Sequence, residues 1–72
     1  MDIVRNKASG KYFIMITDYG DGKGLLVTPQ GELKSLELHL FDPPENVDPE
    51  EALENQMITE NQVVKYNENL EI

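Results

Sequence analysis

Residues 59–66, Thr-Glu-Asn-Gln-Val-Val-Lys-Tyr, read in two ways, and the fold turns on which holds. Thr59 followed three residues later by Gln62 is a capping box, in which each side chain satisfies the other residue's backbone N–H at the start of a helix. Ile58 and Val63 are spaced as a hydrophobic staple, and Val63, Tyr66 and Leu70 recur at helical intervals. Against this, residues 62–66 (QVVKY) hold two β-branched residues and an aromatic, with Val64 and Tyr66 on one face of an extended chain. As a helix the segment covers a sheet; as a strand it closes a small barrel. Both readings stand at the level of sequence.

Immediately upstream, Asp48-Pro49-Glu50-Glu51 supplies an N-cap, a proline at the first helical position and a capping-box glutamate. A short helix over residues 49–56 is expected, with Ala52, Leu53 and Met57 available to one face. Asp42-Pro43-Pro44-Glu45-Asn46 predicts the end of a sheet, because two adjacent prolines cannot continue a ladder. Before this point, short apolar runs alternate with glycine-rich turns. Residues 11–17 (KYFIMIT) predict a strand with Tyr12, Ile14 and Ile16 on one face and Phe13 and Met15 on the other, so both faces should be covered. Residues 18–23 (DYGDGK) predict a chain reversal, residues 24–28 a second strand, and Thr28-Pro29-Gln30-Gly31 a tight turn. Residues 32–41 (ELKSLELHLF) predict the longest strand, with Leu36, Leu38 and Leu40 inward and Ser35, Glu37 and His39 on a wet face.

The expected fold is α+β and mainly β, in one small domain. A three-stranded antiparallel meander occupies residues 1–41, and an acidic Pro/Glu-rich segment, residues 42–72, carries a short helix and a terminal helix or strand. Short meanders with a glycine-rich first hairpin resemble SH3-like barrels in architecture, a likeness that carries no residue-level function. With 72 residues and no cysteine, the core must hold the fold without a disulfide.

Charge is distributed unevenly. Residues 1–36 hold five basic side chains against four acidic ones, whereas residues 37–72 hold Lys65 alone against ten acids, a net −9. Phosphate backbones demand clustered Lys and Arg, so nucleic acid and anionic membrane surfaces are unfavourable counterparts, and a protein with a basic surface is the natural one. The longest uninterrupted apolar run is residues 13–16, far short of the ~20 residues a membrane span needs, and the N-terminus lacks a secretory pattern. A cytoplasmic location is expected.

Motifs for chemistry are sparse. His39 is the only histidine, and Glu37 lies two residues away on the same expected face, so a His/carboxylate pair is geometrically possible. Neither a third orienting group nor further metal ligands accompany it. Gly20, Gly22 and Gly24 follow a strand but lead into another strand rather than a helix, which removes the phosphate-loop reading. The same loop fails the calcium-loop pattern, with glycines where oxygen ligands belong. Ser35 and His39 are four residues apart on one strand, roughly 13 Å, beyond hydrogen-bond reach. Lys11, Tyr12, Phe13, Tyr19 and Lys23 form a basic, aromatic stretch of the kind that binds single strands, but with five aromatics in the chain Tyr12 and Phe13 are needed in the core.

The sequence therefore points to a non-enzymatic interaction or regulatory domain without cofactor, whose partner contacts fall on Glu50, Glu51, Glu54, Glu37 and His39. The alternative is an acidic mimic of nucleic acid that blocks a DNA- or RNA-binding protein. Partner identity and oligomeric state are not legible. One local consequence is testable at once: if Gly31 takes positive φ, Gly31→Val should lower the melting temperature more than Gly31→Asn, since asparagine tolerates the left-handed region. Equal shifts in thermal unfolding would remove the turn assignment.

Overall fold

The computed structural model describes residues 1–70, so Glu71 of the acidic half lies outside the described residues. The described residues form a five-stranded antiparallel open sheet and two α-helices: β1 (Asp2–Arg5), β2 (Tyr12–Asp18), β3 (Lys23–Val27), β4 (Leu33–Glu37), β5 (Glu45–Asn46), α1 (Pro49–Glu54) and α2 (Glu60–Leu70). Strand order is β4-β3-β2-β1-β5. The expected meander is present as β2-β3-β4, but as part of a five-stranded sheet rather than a three-stranded one, and that sheet is open rather than closed into an SH3-like barrel. Residues 62–66 are helical, which removes the strand a barrel would need. β1 extends the meander at its front, carried by the β-branched pair Ile3-Val4 and turned into β2 at Asn6, whose Oδ1 accepts from the N–H groups of Ala8 and Ser9. The prolines at 43 and 44 do not end the sheet; pairing resumes directly after them, Glu45 opposite Ile3 and Asn46 opposite Asp2.

Both faces of β2 are covered, as its apolar pattern requires. On one face Ile3, Ile14 and Val27 pack with Ala52 of α1 and with Ile58, and Val63 and Tyr66 of α2 complete the layer. On the other face Val4 and Leu26 pack with Phe41, joined by Phe13, Met15, Leu36 and Leu38. Phe13 and Phe41 meet edge to face, ring centroids 5.0 Å apart, the geometry an aromatic quadrupole favours.

The longest expected strand is cut short. β4 ends at Glu37, and residues Leu38–Leu40 form one 3-10 turn. β3 begins at Lys23, so only Gly22 O remains to accept the Leu38 N–H (2.8 Å), and past it the ladder has no partner. The chain then crosses the second face and Phe41 bridges to Asn6. Leu38 stays half-buried over Gly24, where a β-carbon would stand 3.0 Å from its side chain and from Thr17 O. Leu40, expected inward, is 43 % exposed. At the other hairpin, Gly31 takes φ +86° and its N–H donates to Thr28 O (2.8 Å).

Three caps fix the helices. Asp48 accepts from the Glu50 N–H (3.1 Å). α1 ends in a Schellman motif, with Met57 N–H donating to Ala52 O, Gln56 N–H to Leu53 O, and Gln56 at φ +58° where glycine is usual. At α2 the capping box is complete: Thr59 N–H donates to Gln62 Oε1 (2.9 Å) and Gln62 N–H to Thr59 Oγ1 (3.3 Å). Gln62 is only 1 % exposed, and its Nε2 donates to Tyr12 O (3.0 Å), with a longer contact to Val27 O (3.5 Å). The reason lies in β3. Ile14 pairs with Val27, and extending that register by two residues sets Tyr12 opposite Pro29, which has no N–H to give. Gln62 supplies the missing donor.

This dual role sets an expected order of variants. Gln62→Leu leaves a buried carbonyl and a helix N–H without partners and should cost about 1–3 kcal/mol by denaturant unfolding. Gln62→Glu keeps the cap acceptor but aims a carboxylate at Tyr12 O, and should cost at least as much. A Gln62→Glu protein as stable as the parent would show that only the cap matters.

Candidate functional site

The acidic half carries its charge on short, well-capped elements. Ala52 turns into the core, which leaves Glu50, Glu51 and Glu54 of α1 exposed, with Glu50 and Glu54 one turn apart on the same stripe. Three ion pairs occur among the described residues: Arg5–Asp42 (3.6 Å), His39–Glu37 (3.0 Å) and Lys65–Glu68 (3.2 Å). Glu45, Glu50, Glu51, Glu54 and Glu60 are all exposed and take part in none of them.

Glu37 and His39 do come together. His39 Nε2 lies 3.0 Å from Glu37 Oε2, both side chains well exposed, although the 3-10 turn rather than a shared strand face makes the pair. They sit at the β4 edge, whereas α1 follows β5 at the opposite edge, so the five expected contact residues form two separate groups. Ser35 Oγ meets Tyr19 Oη at 3.5 Å and makes no hydrogen bond to His39 among the described residues. No group of three or more His, Cys, Asp or Glu side chains among them is arranged to hold a metal ion, and no described helix is long and apolar enough to cross a membrane.

The second face carries a cleft of about 250 Å3 that the sequence did not announce. Val4, Leu38 and Phe41 give it apolar walls, Pro43 and Pro44 close one side, and Lys7, Asp18 and Asp42 supply its charge. Asp18 arrives there through a β-bulge. Met15 pairs with Leu26 and Thr17 with Leu25, so Ile16 is an extra residue in β2. Strict alternation would put Asp18 on the helix-covered face with Tyr12, Ile14 and Ile16; the bulge reverses the parity, and Asp18 instead pairs with Gly24 beside Leu38. No pattern in KYFIMITD marks the bulge, and the cleft further depends on β1 and on Phe41 leaving β4.

No protein-family model matches the chain, and no curated protein or solved structure matches it either. The site is therefore read from its own geometry.

β4 offers one further surface. Thr28 N–H donates to Glu32 O and Leu38 N–H to Gly22 O, so the intervening ladder bonds Lys34 and Leu36 inward to β3 and turns the N–H and C=O groups of Leu33, Ser35 and Glu37 outward. Amide hydrogen exchange should alternate along this strand, slow at 34, 36 and 38 and fast at 33, 35 and 37. Uniform protection across residues 33–38 would show that the edge is covered.

Proposed function

We propose that this is a non-enzymatic interaction domain that docks through its acidic second half onto a basic surface of a protein partner. The observation that carries the reading is the row of exposed carboxylates on α1, Glu50, Glu51 and Glu54, held by a capped helix and left without cationic partners among the described residues. Charge alone would serve solubility. A rigid helix that buries Ala52 and directs three carboxylates outward also fixes where the charge stands, which is what steering and register require of an interface. Glu37 and His39, at the far edge, lie outside this patch and would belong to a second contact.

Affinity capture from the native host, followed by mass spectrometry, supplies the partner on which the reading is tested. Association should weaken as salt rises from about 0.1 to 0.5 M, where the Debye length falls below about 10 Å, and reversal of Glu50, Glu51 and Glu54 to lysine should slow the on-rate more than it speeds dissociation. Binding indifferent to both changes would overturn the acidic docking surface. Competition by nucleic acid at saturation would instead support the mimic of nucleic acid, whose partner is a DNA- or RNA-binding protein.

A further inference from the structure

We infer that the cleft on the second face seats an arginine side chain presented by the basic partner, with the stem against Val4 and Leu38 and the guanidinium at Asp18. The inference rests on the docking reading above only for the partner's basic character, and it adds a second contact on the face of the sheet opposite α1. Size is the first argument: at about 250 Å3 the cleft falls below the roughly 300–1,000 Å3 of sites for drug-sized ligands, and it suits one long side chain. Chemistry is the second. Its lining combines apolar Val4, Leu38 and Phe41 with charged Lys7, Asp18 and Asp42, the combination that takes a side chain with an aliphatic stem and a charged head.

The cleft's own charges decide which head. Lys7 keeps its charge but is tethered toward the 3-10 turn, its Nζ donating to His39 O (3.1 Å), and Asp42 faces Arg5 at 3.6 Å. Asp18 accepts from the Gly20 N–H through Oδ1 (2.9 Å) and forms no ion pair among the described residues. Its other oxygen is free to accept. The bulge at Ile16 is the third argument, because a bulge costs ladder continuity and here its effect is to move this carboxylate from the helix-covered face to the cleft. Arginine is favoured over lysine because its planar head is weakly hydrated and leaves water at lower cost.

The test is an amide NMR titration of the whole chain with N-acetyl-arginine methylamide, with the lysine and norleucine analogues as controls. Saturable shifts are expected at Val4, Asp18, Leu38 and Phe41 with the arginine probe, weaker binding with lysine, and none with norleucine. Asp18→Asn keeps the Oδ1 acceptor for Gly20 and should fold normally, yet bind the arginine probe about two- to fivefold more weakly, the factor an exposed ion pair contributes. Equal affinity for norleucine, unchanged affinity in Asp18→Asn, or no saturable shift at these residues would each overturn the cleft. The docking reading fails separately, through salt-indifferent partner binding or through α1 variants that bind as the parent does.

Discussion

A proline in the hairpin after β3 leaves the Tyr12 carbonyl without a ladder donor, and the amide of Gln62 replaces it. Much of the architecture follows from this one substitution of side chain for backbone. The same side chain closes the cap of α2 through Thr59, so the point where the helix starts is also the point where it is tied to the sheet. A capping box on a free helix satisfies two N–H groups at the surface. Here its glutamine is buried while Thr59 stays exposed, and Gln62 ties the start of α2 to the sheet where the helix crosses β2 and β3. That crossing keeps Ile14 and Val27 dry. An extended chain over residues 62–66 would abandon the cap and leave Tyr12 O unpaired.

The opposite face is closed differently. No α-helix among the described residues covers it; the chain crosses it between Leu38 and Phe41 through the 3-10 turn, anchored at one end by the Leu38 bond to Gly22 and at the other by the bridge to Asn6 and the Phe13–Phe41 contact. A crossing segment covers less area than a helix, and the uncovered remainder is the cleft. Thus the side of the sheet with the thinner cover is the one with room for a guest, and the bulge that turns Asp18 toward it lies in the strand both layers share.

Much of this was legible in the residues. The strand and turn at 11–31, the Asp48 cap, and the capping box at 59–62 are local signals whose chemistry acts within four or five residues, and each appears where its pattern places it. What was illegible depends on partners distant in sequence. Leu38 and Leu40 continue a period of two, but strand length is limited by the five residues of β3, which the β4 sequence does not contain. β1 is four residues long and gains stability from lying between β2 and β5. Glu45 and Asn46 carry little strand propensity and pair because β1 presents an edge. The Glu37–His39 contact survived the shortening of β4, since Glu37 stays extended as the last residue of the strand and both long side chains reach across the start of the turn. Asp18 in the cleft had no sequence signal, because a bulge is a property of two strands.

The central claim is that the Gln62 side-chain amide is a buried structural donor to the sheet. The most direct measurement is the hydrogen-exchange rate of the glutamine side-chain NH2 groups by NMR, with exposed Gln30 and Gln56 as internal references. The account predicts that Gln62 exchanges far more slowly than both and shows a nuclear Overhauser contact to Tyr12. Exchange at the rate of Gln30 and Gln56 would contradict it, and would reduce Gln62 to an ordinary surface cap.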